Sequence, residues 1–324
     1  MAVHIFSGNT IAVIWDFDQT LIPGYQQSPI FSDYGIDEDK FWSEVNNLPK
    51  HYKSSQNIIV SPDTAYLGHI LTYVREGKMS GLTNERLRAF GSEQEFYPGL
   101  PDFFPEVKKA IEEDKEYSKH EILVEHYIVS TGLRQVILGS KIAEYVEDVW
   151  ACEFIESAAP PGFTCAEEKT PTESGSSCEI SQIAYFLDNT TKTRAIWEIN
   201  KGTNKDPNVG VNHLVAQEDR RIPLRNMLYI ADGPSDIPVF SILNQYGGRT
   251  LGVYNPKQEK HFAEVKRLGD QGRVQYYAEA KYSSGSPANR WIITTLREIA
   301  DLIVRDRNRL LADTVGTPAS HVKS

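Results

Sequence analysis

The sequence predicts an α/β fold with an open parallel sheet, and three observations carry that prediction. Short apolar runs, typical of buried parallel strands, occur at residues 11–16, 126–132 and 226–233. Segments with a helical spacing of apolar residues lie between these runs, and strands that alternate with helices indicate a parallel sheet. Each run ends in polar, reactive residues, at the edge where open α/β sheets bind ligands.

Further elements complete the predicted sheet and its helices. Residues 148–154 and 250–254 have the same apolar character as the first three strands. One helix is predicted after Pro101, a residue favoured in a first turn, from the apolar spacing of Phe103, Phe104, Val107, Ala110 and Ile111. A second helix is predicted to end at Gly202, with one apolar face formed by Ala195, Ile196 and Ile199.

One long segment interrupts the alternation of strands and helices. Residues 24–96 show helical patterns and little strand alternation, which predicts a helical subdomain inserted after the first strand. Residues 1–23 and 97–311 then form the α/β core. Residues 164–179 are rich in Ser, Thr and Glu and are expected to form a polar turn between two strands. Residues 312–324 are expected to be a disordered tail.

Composition argues against several classes of function. The net charge of −10 disfavours a nucleic acid bound through its phosphates. No stretch approaches the roughly 20 apolar residues of a membrane span, and no signal-peptide pattern is present, so we expect a cytoplasmic protein. The three cysteines are too few and too scattered for a disulfide framework or a zinc site. A small phosphorylated partner is compatible with the acidic balance if local cations offset its charge, and the oligomeric state is not indicated.

Two carboxylates, Asp16 and Asp18, follow the first strand. Burying an unpaired carboxylate is unfavourable, so this position predicts a compensating cation or protons. Mg²⁺ prefers oxygen ligands and is typically held by one or two carboxylates together with a substrate phosphate. Asp16 could attack phosphorus to form an aspartyl-phosphate, and Asp18 could act as general acid and base if its pKa is raised from about 3.9. The alternative interpretation is a turn with two solvated aspartates.

The second strand and a later helix supply groups suited to a phosphate. The strand ends at Ser130, Thr131 and Gly132, where a hydroxyl and backbone N–H groups could hold a phosphoryl oxygen. The alternative there is a hydroxyl that caps the next helix. Lys192 lies in the first turn of the helix that ends at Gly202, and its charge could neutralise a phosphate. The alternative there is a surface lysine.

The third strand ends in a second acidic pair. Asp232 follows the apolar run directly and is a plausible metal ligand, while Asp236 could support the metal through a water molecule or a neighbouring ligand. The alternative is an Asp-Gly turn followed by a helix start.

Taken in order, these four sites resemble the haloacid-dehalogenase superfamily. Its pattern is DxDx[TV], a Ser or Thr at the end of the second strand, a Lys, and an acidic pair such as [GS]Dx₃D. The matching segments here are DFDQT at 16–20, VST at 129–131, Lys192 and ADGPSD at 231–236. The resemblance covers residues 11–24 and 122–255 and is greatest to the phosphoserine-phosphatase-like members. It implies a Rossmann-like sheet, and it implies that the segment 24–96 is an insertion of the type called a C1 cap.

The resemblance also implies an activity, a Mg²⁺-dependent phosphatase that acts on a small phosphorylated metabolite. Asp16 would be the nucleophile and Asp18 the acid and base, while the phosphoryl group would be bound by Ser130, Thr131, Gly132 and Lys192. Mg²⁺ would be held by Asp16, the backbone carbonyl of Asp18, Asp232 and, in support, Asp236.

The sequence departs from the superfamily pattern at three positions. Gln19 replaces a small residue, and Ala231 stands where Gly is common. Tyr25 occupies the position of a Glu that binds the amino group of phosphoserine, which argues against phosphoserine as the substrate. Two alternatives stay open: a phosphotransferase that uses the same intermediate, and a phosphometabolite-binding protein without turnover.

Overall fold

Seven strands form a single sheet in the computed structural model, which describes residues 8–163 and 178–315. The strands are β1 (Thr10–Trp15), β2 (Leu123–Leu133), β3 (Asp148–Ile155), β4 (Gln182–Tyr185), β5 (Met227–Ala231), β6 (Arg249–Tyr254) and β7 (Tyr276–Glu279). Their order is β4-β3-β2-β1-β5-β6-β7, and only the β3–β4 pair is antiparallel. The predicted α/β class with a mostly parallel sheet is therefore confirmed.

Helices precede or follow nearly every strand. They are α1 (Ser28–Asp33), α2 (Glu38–Gln56), α3 (Ala65–Arg75), α4 (Asn84–Gly91), α5 (Phe103–Glu112), α6 (Lys115–Lys119), α7 (Arg134–Gly139), α8 (Lys192–Lys201), α9 (Ile237–Gln245), α10 (Glu259–Asp270) and α11 (Pro287–Val315). Gly202, the predicted end of its helix, caps α8 with a φ of 78°, a conformation that glycine adopts without strain.

The central strand β1 is buried on both faces, because all six of its residues are buried. Ala12 and Ile14 belong to the hydrophobic cluster on one face, which is covered by α1–α4, α8 and α9. Ile11, Val13 and Trp15 belong to the cluster on the other face, which is covered mainly by α5 and α11. This alternation sets the direction in which the next residue, Asp16, projects.

The segment 24–96 contains α1–α4, in keeping with its predicted helical pattern. One of these helices packs very closely on the core: a Cβ added at Gly91 of α4 would lie 2.2 Å from the Val136 carbonyl oxygen of α7. A Cβ at Gly139, where α7 ends, would lie 1.7 Å from the Arg88 carbonyl oxygen. Only glycines allow the two backbones to approach this far. That residues 24–96 act as a cap stays a prediction.

The C-terminal region is more ordered than the sequence patterns indicated. Helix α11 continues to Val315, so the prediction of a disordered tail from residue 312 is wrong for residues 312–315. Residues 316–324 and most of the predicted polar turn, residues 164–177, lie outside the described residues. Among the helices that the structure describes, none is both long and apolar enough to cross a membrane.

Candidate active site

The carboxyl ends of β1, β2 and β5 lie side by side, because β1 pairs with both of the other strands. Trp15 is in register with Ile128 of β2 and with Ile230 of β5. The Asp16 N–H continues the ladder by donating to the Ile230 carbonyl oxygen at 2.9 Å. Asp16 and Asp232, which follow β1 and β5, therefore lie at the same edge of the sheet as residues 130–132 near the end of β2, as predicted.

Asp16 and Lys192 form a buried ion pair at this edge. Asp16 continues the alternation of Ala12 and Ile14, so its side chain points to the face that α8 covers. Lys192 is the first residue of α8, and its Nζ lies 2.9 Å from Asp16 Oδ1 and 2.6 Å from Asp236 Oδ1. Lys192 and Asp236 are fully buried, and Asp16 is 5% exposed. The structure thus brings together three of the residues predicted for the site.

The charges in this cluster do not balance. Burial raises the pKa of Asp16 well above its ordinary value, an effect that the positive charge of Lys192 partly offsets. Burial alone would lower the pKa of Lys192, but the carboxylates of Asp16 and Asp236 raise it, so the ammonium group stays protonated. With Asp232 nearby, one lysine faces three carboxyl groups, and a further cation or protons must offset the remaining negative charge.

Asp16, Asp232 and Asp236 each offer a carboxylate oxygen within 4.8 Å of the others, a set of hard oxygen donors that fits Mg²⁺. Both oxygens of Asp236 already accept hydrogen bonds: Oδ1 from Lys192 Nζ and the Tyr229 hydroxyl, and Oδ2 from Ser235 Oγ. Asp16 and Asp232 are therefore better placed to bind a cation directly, and Asp236 is suited to the supporting position predicted for it.

Asp232 is itself held by a histidine that the sequence patterns did not single out. His261 of α10 places its Nε2 3.3 Å from Asp232 Oδ2 and 3.2 Å from the Asp232 carbonyl oxygen. Its Nδ1 accepts from the Asn255 N–H at 3.1 Å. These contacts orient Asp232 toward the edge of the sheet where Asp16 lies.

Asp18 lies in different surroundings from Asp16 and is not part of the three-carboxylate group. Its Oδ1 accepts from the Gln26 backbone N–H at 2.7 Å, and its Oδ2 accepts from Gln26 Nε2 at 3.0 Å. Burial raises the pKa of Asp18 to about 6, although the two hydrogen bonds from Gln26 oppose the rise. A carboxyl group with this pKa can exchange protons near neutral pH.

The three residues at the end of β2 have separate surroundings. Ser130 is 1% exposed and its Oγ accepts from the Gly132 N–H at 3.0 Å, which leaves the hydroxyl hydrogen free to be donated. The Thr131 carbonyl oxygen accepts from the Tyr66 hydroxyl of α3 at 2.6 Å, so the inserted helices reach this edge. Gly132 provides space: a Cβ there would lie 1.8 Å from Gln26 Nε2.

Comparisons with known proteins agree with the fold. No protein-family model matches the chain. An uncharacterized protein of Borreliella burgdorferi is 42% identical over 288 residues, which cover 88% of this chain and 96% of that protein, so the two belong to one family. The structure of a HAD family hydrolase from Salmonella enterica serovar Typhi is similar, with a TM-score of 0.50 and 12% identity over 84% of this chain and 67% of that chain. This structural similarity shows that the chain shares its fold with that hydrolase.

A more distant similarity involves a probable phosphoserine phosphatase from Vibrio cholerae. It has a TM-score of 0.46 and 11% identity over 94% of this chain and 69% of that chain.

Four residues of this site were not predicted: Gln26, Tyr66, Tyr229 and His261. For Tyr229 a signal was available, because it lies within the apolar run of β5 and a buried tyrosine hydroxyl needs a partner. Gln26 joins the site through a bond to Leu133, 107 residues away in the chain, and His261 lies 29 residues from Asp232. No motif spacing in the sequence identifies either residue.

Proposed function

We propose that this chain is a member of the haloacid-dehalogenase superfamily and a Mg²⁺-dependent phosphatase that hydrolyses a small phosphorylated metabolite through an aspartyl-phosphate on Asp16. One observation carries the proposal: the buried Lys192 Nζ lies between Asp16 Oδ1 and Asp236 Oδ1, at 2.9 and 2.6 Å. A buried lysine shared by two carboxylates, with the third carboxylate of Asp232 beside them, is an arrangement suited to binding a phosphoryl group and a cation together. The cytoplasmic location stays a prediction.

In the first step, an Asp16 oxygen forms a bond to phosphorus and the bond from phosphorus to the leaving oxygen breaks. Asp18 donates its proton to that oxygen, so the alcohol departs neutral. Among the described residues, Lys192 Nζ makes two hydrogen bonds, and its third N–H is left for a phosphoryl oxygen. The Ser130 hydroxyl is left to donate to another.

In the second step, the now ionised Asp18 takes a proton from a water molecule whose oxygen attacks phosphorus. The bond to Asp16 breaks, and Asp16 returns as a carboxylate while inorganic phosphate leaves. Asp18 regains its proton, so the net reaction consumes one water and gives an alcohol and phosphate. General acid–base assistance of this kind is typically worth about 10²–10⁴ in rate.

Asp16 and Asp232 would hold the cation, with the Asp18 carbonyl oxygen as predicted and Asp236 in support. When bound, Mg²⁺ would neutralise the excess carboxylate charge and polarise the phosphoryl oxygens. Two sets of residues therefore have separate roles. The carboxylates would bind the cation, while Lys192 and Ser130 would bind the phosphoryl group.

The inserted segment carries a cleft of its own. The cleft, of about 620 Å³, opens beside Gly24 and Tyr25 and reaches Gln94, and none of the proposed catalytic or metal-binding residues lines it. Tyr25 is half exposed there, in the position where a phosphoserine-binding Glu is expected. We infer that residues 24–96 close over the site as a cap and select a metabolite other than phosphoserine.

The test is release of inorganic phosphate from a panel of phosphorylated metabolites and from p-nitrophenyl phosphate. Turnover should require Mg²⁺, stop when the metal is chelated, and fall by roughly 10⁴-fold or more in Asp16→Asn. Asp306→Asn, which removes an exposed aspartate paired with Arg225, is the control and should leave turnover unchanged. Turnover that survives Asp16→Asn, or that needs no divalent cation, would reject the proposal. Analysis of products with added alcohols or sugars separates hydrolysis from transfer to another acceptor.

A further inference from the structure

Gln26 connects the loop that carries Asp18 with the end of β2. The Gln26 side chain is fully buried. Its backbone N–H and its Nε2 donate to the two oxygens of Asp18, at 2.7 and 3.0 Å, and its Oε1 accepts from the Leu133 N–H at 2.8 Å. Its carbonyl oxygen accepts from Gln94 Nε2 at 3.2 Å. One residue therefore joins Asp18, the second strand and the end of the inserted segment.

The orientation of the Gln26 amide follows from its partners. The Leu133 N–H can only donate, so the amide oxygen must face it, and the NH₂ group then faces Asp18. Gly132 lies directly against this amide, because a Cβ at Gly132 would lie 1.8 Å from Gln26 Nε2 and 3.0 Å from Asp18 Oδ2. The amide cannot flip without losing the bond to Leu133 and placing an oxygen against a carboxyl group.

We propose that Gln26 is a positioning residue that fixes the direction of the Asp18 carboxyl group for proton transfer to the leaving oxygen. This inference rests on the proposed function. Both oxygens of Asp18 are held by one residue, so the carboxyl plane cannot rotate without breaking a hydrogen bond. The proton is then carried on the side of the group that faces away from Gln26. Misplacing a catalytic group by about 1 Å can lower a rate by about 10²-fold.

The experiment compares two esters that share a phenyl ring, p-nitrophenyl phosphate and phenyl phosphate, in the full-length protein with Mg²⁺. Phenolate is the poorer leaving group and needs the proton of Asp18 more than p-nitrophenolate does. The parameter is kcat/KM, because it reports the first step, in which the leaving group departs. Gln26→Met removes the side-chain hydrogen bonds at similar volume. Gln27→Met is the matched control, because Gln27 is the next residue, is also a buried glutamine and makes no described contact with Asp18.

We expect Gln26→Met to lower kcat/KM for phenyl phosphate by roughly 10²-fold. The fold-loss of kcat/KM for p-nitrophenyl phosphate should be smaller by a factor of at least about ten. Gln27→Met should leave the ratio of the two values unchanged. If Gln26→Met does not fold, Gln26→Ala takes its place, since it removes both side-chain hydrogen bonds without adding volume or charge; the same change in ratio is expected.

Equal losses on both esters would overturn the inference and leave the proposed function standing, because they would show a general loss of structure or binding. A wild-type protein that hydrolyses neither ester nor any metabolite of the panel would instead reject the proposed function, and this inference with it.

Discussion

Asp16 and Asp18 lie two residues apart but occupy unlike surroundings. Asp16 is paired with the ammonium group of Lys192, whereas Asp18 is held by the neutral amide of Gln26. Burial raises the pKa of both carboxyl groups; at Asp16 the positive charge of Lys192 partly offsets the rise, while at Asp18 the hydrogen bonds from Gln26 partly offset it and the pKa is about 6. Two aspartates in one short segment can therefore have different chemical roles, because different elements of the fold contact them.

The largest effect separating the two aspartates is expected from Asp18→Asn. The amide cannot donate a proton to the leaving oxygen as an acid does, so kcat/KM for phenyl phosphate should fall by about 10²–10⁴-fold. The loss for p-nitrophenyl phosphate should be much smaller. Full activity on phenyl phosphate would show that Asp18 is not the acid and that the two surroundings do not correspond to two roles.

The next effect tests the charged surroundings of Asp16. Lys192→Met leaves Asp16 and Asp236 buried without their partner, and removing one member of a buried pair typically lowers the free energy of unfolding by about 3–5 kcal/mol. Chemical denaturation at neutral pH without divalent cations measures this. Arg194→Met is the control two residues along α8, since its partly exposed pair with Glu198 should contribute no more than about 1 kcal/mol. A similar, small loss in both variants would contradict the buried pair.

A smaller effect tests the neutral surroundings of Asp18. Gly132→Ala places a methyl group where Gln26 Nε2 lies, and overpacking of this kind typically lowers the free energy of unfolding by about 1–3 kcal/mol. Because the displaced group is the one that holds Asp18, kcat/KM for phenyl phosphate should fall more than that for p-nitrophenyl phosphate. Gly35→Ala is a control with open space around its Cβ but a φ of 62°, so it reports backbone strain without a clash.

The smallest expected effect is the change of kcat/KM with pH. Asp18 must carry a proton to act as an acid, and its pKa is raised to about 6, so kcat/KM for phenyl phosphate should fall as pH rises through that value. The fall approaches about tenfold per pH unit. A bound cation would lower this pKa without changing the sign. This fall of kcat/KM with rising pH should be absent in Asp18→Asn. A fall of the same size in the variant would show that another group is responsible for the pH dependence.

Much of this site follows from sequence patterns, because the position of a strand and the alternation of its side chains are local properties. The apolar runs before Asp16, Ser130 and Asp232 predicted three strands whose ends meet. The burial of Lys192 also follows from the sequence pattern. Its spacing from Ala195, Ile196 and Ile199 places all four residues on one helical face, the face that packs on the sheet.

Other features depend on contacts between distant segments. Gln26 and Leu133 are separated by 107 residues, and nothing in the local sequence links them. The role of Gly132 in binding a phosphoryl group stays a prediction, and no sequence pattern indicated that its small size also makes room for Gln26. The helical pattern of residues 24–96 did not delimit α1, which has only six residues. Helix α11 extends four residues past the predicted boundary at residue 311.

The most direct test of the central claim is to trap the covalent intermediate. The full-length protein with Mg²⁺ is mixed with p-nitrophenyl phosphate, quenched in acid within the first turnovers and digested for mass spectrometry. We expect the added mass of one phosphoryl group on the peptide that contains Asp16, and its absence in Asp16→Asn. A protein that turns over substrate while the phosphoryl group is found on another residue, or on none at any quench time, would contradict it.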